Sequence, residues 1–105
     1  MASSASGHGS RKYLRKLRRI VFSTFKPGQA QVYLFGSWAT GKTRRGSAID
    51  LAVLPKRAVP PETLSLLREK IEESDIPYRV EVLDLTRTDR KFRELVLKDG
   101  LRWNG

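Results

Sequence analysis

Asp50 is the lone carboxylate in the stretch LFGSWATGKTRRGSAIDLAVL, Leu34 to Leu54. It sits in an apolar run, where a charge is costly unless it is paired or holds a cation. Upstream, Gly36 and Ser37 close a run of β-branched and aromatic residues. Glycine lets a backbone turn sharply and approach a ligand closely. Ser37 offers a hydroxyl at the start of a helical turn, whose free N–H groups suit an anion such as a nucleotide phosphate. Taken alone, a Gly-Ser pair is more often a plain turn. Lys42, Arg44 and Arg45 follow. They suit contact with a triphosphate or an acceptor nucleic acid, and equally a solvated loop.

Strand side chains alternate between faces. Ile49, Leu51 and Val53 therefore share a core side, and Ala48, Asp50 and Ala52 share the other. In the later stretch Arg79 to Leu85, Val80 and Val82 take the core side, while Glu81 and Leu83 face away. Asp50 and Glu81 can then meet on neighbouring strands. Two carboxylates beside a phosphate turn suit Mg²⁺, which takes a few carboxylates together with waters and phosphate oxygens. The spacing leaves a second reading open, in which each is a solvent-facing charge on the open side of a one-sided sheet.

The same stretch contains G-x4-G-K-T, Gly36 to Thr43, which is the Walker A string. A P-loop needs a long helix directly after that string, wound onto a parallel sheet. Here Arg44, Arg45, Gly46 and Ser47 follow, without an apolar helical stripe, and then a strand. No later strand reads as ending in the isolated Asp of a Walker B, which would hold magnesium through water. We read the match as accidental.

The elements that must position these groups are legible from periodicity. Leu14, Leu17, Val21 and Phe25 form the stripe of a helix over Arg11 to Phe25, with six cations on the rest of its surface. Pro27-Gly28 ends it. Gln31 to Phe35 reads as a strand and Ser37 to Gly41 as one helical turn. Ile49 to Leu54 is a second strand. Pro60-Pro61 opens a helix through about Ser74, with Leu64, Leu67 and Ile71 inward. Arg79 to Leu85 is a third strand. Thr86 and Asp89 suggest a capping box for a last helix with Phe92, Leu95 and Val96 as its stripe. Gly100 ends that helix, and Leu101 to Trp103 can add a short strand. The expected fold is α/β (α+β): a small mixed sheet of three to four strands with helices packed on one face.

The whole chain narrows the classes. Its 105 residues make one domain. We divide it into residues 1–10, a disordered leader or cloning remnant, and a single domain over 11–105. The lone histidine, His8, falls in that leader. There is no cysteine, hence no disulfide framework or thiolate metal site. No apolar run reaches membrane-span length, and a cytoplasmic location is the default expectation. The net charge of +10 points to an anionic partner: nucleotide, nucleic acid, an acidic protein or an anionic lipid surface. A merely soluble surface is the bland alternative.

Taken together, these motifs resemble the signature of the minimal nucleotidyltransferases, small members of the polymerase-β-like superfamily. Their pattern is Gly-Ser, ten residues, then Asp-x-Asp, with a third acid on a later strand. Here Gly36-Ser37 is followed by the ten residues Trp38 to Ser47, and Asp50 matches the second Asp. Glu81 falls where the third acid is expected. Ala48 stands where the family has its first Asp. The resemblance implies a palm-like fold and a nucleoside triphosphate held at Gly36, Ser37, Lys42 and Arg45. It also implies an acidic trio binding two Mg²⁺ (or Mn²⁺) ions, for transfer of a nucleoside monophosphate to a hydroxyl. With Ala48 in place of one ligand, the expected activity is weakened or lost, through an engineered change or a natural one. Family members are often paired with an all-helical partner of the HEPN class, so a non-catalytic, antitoxin-like interaction subunit is the alternative.

Overall fold

In the computed structural model, residues 2–43 and 46–103 are described, with side-chain environments from residue 11 onward. The first helix, α1, spans Ala2–Thr24. It starts well before Arg11, passing without a break through the segment expected to be a disordered leader. Extending a docked helix adds one hydrogen bond per residue ordered, whereas nucleating one does not. The docking is done by Leu17, Val21 and Phe25, all essentially inaccessible to solvent. Burial of each such side chain is worth about 1.5–3 kcal/mol.

After the turn at Pro27-Gly28 come β1 (Ala30–Phe35), α2 (Ser37–Thr40), β2 (Ile49–Pro55), α3 (Glu62–Glu72), β3 (Val80–Asp84), a 3₁₀ turn (Leu85–Arg87), α4 (Arg90–Asp99) and β4 (Leu101–Arg102). The four strands form one sheet in the order β3-β2-β1-β4. β1 is antiparallel to both β2 and β4, and β2 is parallel to β3. The sheet is therefore mixed, as expected. The parallel pair needs a crossover, and α3 supplies it.

One face of the sheet carries the main core. Val32, Leu34, Ile49, Leu51 and Val53 pack beneath Leu17 and Val21 of α1, Phe25 just past its end, and Leu64, Leu67 and Ile71 of α3. The stripes of both helices match the sequence periodicity. The opposite face is covered as well, which corrects the expectation of helices on one face only. There Tyr33 and Ala52 pack with Leu85 of the 3₁₀ turn and Val96 of α4, with Phe35, Leu54 and Phe92 around them. Ala52 contributes no bulk of its own, so an apolar neighbour can lie directly on the strand. Because α4 meets the sheet along one narrow stripe, Leu95 stands 55% exposed instead of joining Phe92 and Val96.

The start of α4 also differs from expectation. Asp89 is its N-cap, accepting from the Phe92 N–H, and Asp84 caps the 3₁₀ turn by accepting from the Thr86 N–H and hydroxyl. Two short carboxylate caps replace a single Thr86-to-Asp89 box. Gly100 does end α4, but not in a left-handed conformation. A Cβ there would press on the Val96 carbonyl and the Tyr33 side chain, so the chain can turn into β4 only with glycine at this point. Among the described residues, no helix is long and apolar enough to cross a membrane.

Candidate active site

The site begins at the end of β1. Gly36 has φ 76° and ψ −156°, a region essentially reserved for glycine. A Cβ on Gly36 would collide with Asp50 Oδ2. The antiparallel register explains the contact: Phe35 of β1 lies opposite Asp50 of β2, so the residue after Phe35 turns across the Asp50 carboxylate. Gly36 thus serves two needs, an unusual backbone conformation and close approach to Asp50.

α2 starts from this turn and lasts one turn only. The Ala39 and Thr40 N–H groups donate to the Gly36 carbonyl. Gly41 ends the helix in the left-handed region, with its N–H and that of Lys42 both donating to the Ser37 carbonyl. The N–H groups that open a helix have no intrahelical acceptor, which leaves the Ser37 end of the turn as the donor-rich side. The helix ends inside the G-x4-G-K-T string and, among the described residues, no helix comes between it and β2, so the long helix that a P-loop needs directly after the string is not there. Lys42 is exposed just past Gly41. Arg45, the other cation expected near phosphate, lies outside the described residues.

Asp50 is half-buried, and its register partner on the parallel strand β3 is Glu81, which is exposed. The two carboxylates expected to meet are therefore neighbours on one face of the sheet. Burial, the adjacent Glu81 charge and a hydrogen bond with Glu81 push the Asp50 carboxyl above its ordinary value, while the Arg79 charge pulls it down. Like charges held side by side in partial burial disfavour full ionisation of both, and a bound cation relieves that conflict. Ala48 is buried immediately before β2. Among the described residues there is no group of three His, Cys, Asp or Glu side chains suited to a metal. The donor set fits one hard divalent cation completed by water and phosphate oxygens. It does not fit a pair of cations, for which a third carboxylate would be needed. Asp84 and Asp89 are occupied as caps and Asp75 pairs with Lys16.

Three residues around the site were not singled out in the sequence. Trp38, the first residue after Gly-Ser, reaches back with its indole N–H to the Ser47 carbonyl at 3.4 Å. Its ring meets Tyr78 edge-on, with centroids 4.8 Å apart, and Tyr78 in turn meets Tyr13 at 5.7 Å. This row of aromatics braces the Gly-Ser turn against α1 and the segment leading into β3. Arg79 bears on Asp50 electrostatically, and its carbonyl accepts from the Ile49 N–H at 2.8 Å. An aromatic directly after Gly-Ser was the one visible signal. The roles of Tyr78 and Arg79 depend on the β2–β3 register, which sequence does not display.

Comparison with known proteins agrees with this architecture. The chain is 37% identical over 67 residues to the Probable protein adenylyltransferase MntA of Haemophilus influenzae, a match covering 64% of this chain and 59% of the relative. The matched part is thus less than two thirds of that protein. Among solved structures, one described as a minimal nucleotidyltransferase superposes with a TM-score of 0.69 at 27% identity, covering 86% of this chain and 92% of that one. A toxin-antitoxin crystallised with AMP-PNP gives a TM-score of 0.64 at 26% identity, covering 90% and 73% respectively. The model of the family described as Polymerase beta, Nucleotidyltransferase matches residues 20–102, a span that runs from the last turn of α1 to β4. The chain belongs to this nucleotidyltransferase family, in agreement with its mixed sheet and its Gly-Ser turn.

Proposed function

We propose that this chain binds a nucleoside triphosphate together with Mg²⁺ at the Gly36–Ser37 turn, and that its transfer of a nucleoside monophosphate to a hydroxyl is weakened or absent because position 48 is alanine. The observation that carries this reading is the adjacency of Asp50 and Glu81 across β2 and β3, with Gly36 turned over Asp50. In this reading Asp50 and Glu81 hold the cation. Ser37 and the N–H groups at the start of α2 receive phosphate oxygens, and Lys42 and Arg45 add positive charge beside them. The cation, when bound, draws charge from the phosphates and orients them. A relative that is an adenylyltransferase by name, and a structural neighbour crystallised with AMP-PNP, support an adenine nucleotide as the first choice of ligand.

Calorimetric titration of the protein with Mg²⁺ and a non-hydrolysable adenosine triphosphate tests binding. Mg²⁺-dependent affinity that disappears in Asp50→Ala and Glu81→Ala is the expected result. Absence of binding both in the wild type and in Ala48→Asp defeats the reading.

A second reading is a non-catalytic, antitoxin-like subunit that covers an all-helical, HEPN-type partner. It is favoured by the exposure of Leu95 (55%), Leu97 (38%) and Leu101 (50%) at the C-terminal end of the domain, and by the toxin-antitoxin neighbour. Co-purification with such a partner that survives Asp50→Ala but not Leu95→Glu distinguishes it from control by nucleotide transfer.

A further inference from the structure

At the end of the sheet away from Asp50, a cleft of about 540 Å³ opens between the C-terminal end of α1, the turn that follows it, the β2 exit and β4. Its volume lies within the range of about 300–1,000 Å³ typical of ligand sites. Four cations line it, Arg18, Lys26, Lys56 and Arg102, and no carboxylate does. None of the four is in an ion pair among the described residues. Three aromatic residues, Phe22, Phe25 and Trp103, share the wall.

The wall is held in place. The Trp103 N–H donates to the Val32 carbonyl at 2.9 Å, and the Trp103 carbonyl accepts from Arg18 Nη2 at 2.6 Å. The Arg18 guanidinium lies over the Phe22 ring, 5.8 Å from its centroid. On the other side, the Lys56 N–H donates to the Gln29 carbonyl, and the Gln29 side chain accepts from the Lys26 N–H, both at 2.8 Å. Elements far apart in sequence are thereby fixed around one opening, and little ordering remains to be done when a ligand enters.

We propose that this cleft binds single-stranded nucleic acid, with a base stacked on Trp103 and backbone phosphates on Lys26, Lys56 and Arg102. Cations alone would suit any polyanion. The partly buried indole of Trp103, carried on a backbone held at both its N–H and its carbonyl, favours a ligand carrying both planar rings and phosphates, the combination that single-strand binding surfaces use. An acidic peptide has charge but no rings to stack. The site is separate from the Asp50–Glu81 pair and stands whether or not that pair binds nucleotide.

Fluorescence anisotropy with a short labelled oligouridylate measures the binding. Affinity is expected to fall steeply between about 50 and 200 mM salt, because phosphate binding releases counterions. Lys56→Glu with Arg102→Glu is expected to weaken binding by about tenfold or more. The pair should also flatten the log–log salt slope by about 1.4, at about 0.7 for each phosphate no longer neutralised. Lys56→Ala with Arg102→Ala should act in the same direction more weakly, and serves if the charge reversals disturb folding. Arg11→Glu with Lys12→Glu, which changes net charge equally but lies up the helix, should cost no more than about twofold. In a Trp38→Phe background, oligouridylate should quench Trp103 fluorescence and oligoglutamate should not. Equal weakening by the cleft pair and the α1 pair overturns the proposal. So does absence of binding at low salt, or oligoglutamate binding as tightly as RNA.

Discussion

The two ends of the sheet are opposite in charge and in construction. At one end Asp50 and Glu81 stand side by side beneath the Gly36 turn. At the other, reached by following β1 back from Phe35 to Ala30, four cations surround Trp103. The ends are separated by about 17 Å, the length of five strand steps at about 3.3 Å each. The acidic end is built from register: adjacent strands put two carboxylates on the same face whether or not that is electrostatically comfortable. The basic end is built from termini and turns, where long side chains extend into solvent and repel one another less. Crowding therefore perturbs titration at the first end, where Asp50 is raised.

The largest expected effect separates the ends by function. Ala48→Asp adds a carboxylate at a buried position beside Asp50. Even outer-shell partners of metal ligands are worth about 10–100-fold, so supplying a direct ligand should raise transfer by about 100-fold or more. Labelled nucleoside triphosphate, Mg²⁺ and a hydroxyl-bearing partner protein measure this, and oligouridylate affinity at the basic end should stay unchanged. Without Mg²⁺ the same variant should be less stable than wild type, because a third unpaired charge is forced into the cluster. A variant that is equally stable with and without Mg²⁺ would show that the acidic end does not gather a cation.

Gly36→Ala tests the construction of the acidic end. The new Cβ meets Asp50 Oδ2 and the backbone must hold a positive φ. A loss of about 1–3 kcal/mol in denaturant unfolding is expected, together with loss of nucleotide binding and no change at the cleft. A neutral result would mean that β1 and Asp50 are not packed as closely as their register requires.

Asp50→Asn acts in the opposite direction. The folded pKa of Asp50 lies above the unfolded 3.8, so folding disfavours the ionised form. That penalty is absent below the unfolded value and full once pH exceeds the folded one. Without metal at neutral pH, the amide should therefore stabilise the protein by a few tenths of a kcal/mol, solvent screening holding the figure down. The gain should vanish as the pH is lowered to 3.8, and Mg²⁺-dependent stabilisation should be lost.

The smallest effect lies away from both ends, at the Lys16–Asp75 pair that ties α1 to the loop after α3. The hydrogen bond from Lys16, above all, lowers the Asp75 pKa below 3.8. Its stabilising contribution is present above that value and fades as pH falls through the lowered one. Asp75→Asn should flatten the acid limb of the melting temperature against pH only in that range, and should leave both ends of the sheet untouched.

Much of this organisation follows from sequence alone. The stripes Leu17-Val21-Phe25 and Leu64-Leu67-Ile71 and the alternation of β2 are local patterns, and burial of apolar surface enforces them wherever the segments dock. The Gly-Ser turn and the face on which Asp50 lies are likewise local, because strand geometry fixes which side each residue takes. Only the tertiary structure decided what those faces meet. It brought Asp50 level with Glu81, since parallel register is set by the packing of α3 and not by either strand. It set Gly36 against Asp50 and laid α4 along β1, leaving Leu95 in solvent. It also gathered Arg18, Lys26, Lys56 and Trp103 around one opening. Each of these depends on residues tens of positions apart, whose proximity comes from the closure of the whole chain and not from any periodicity within a segment.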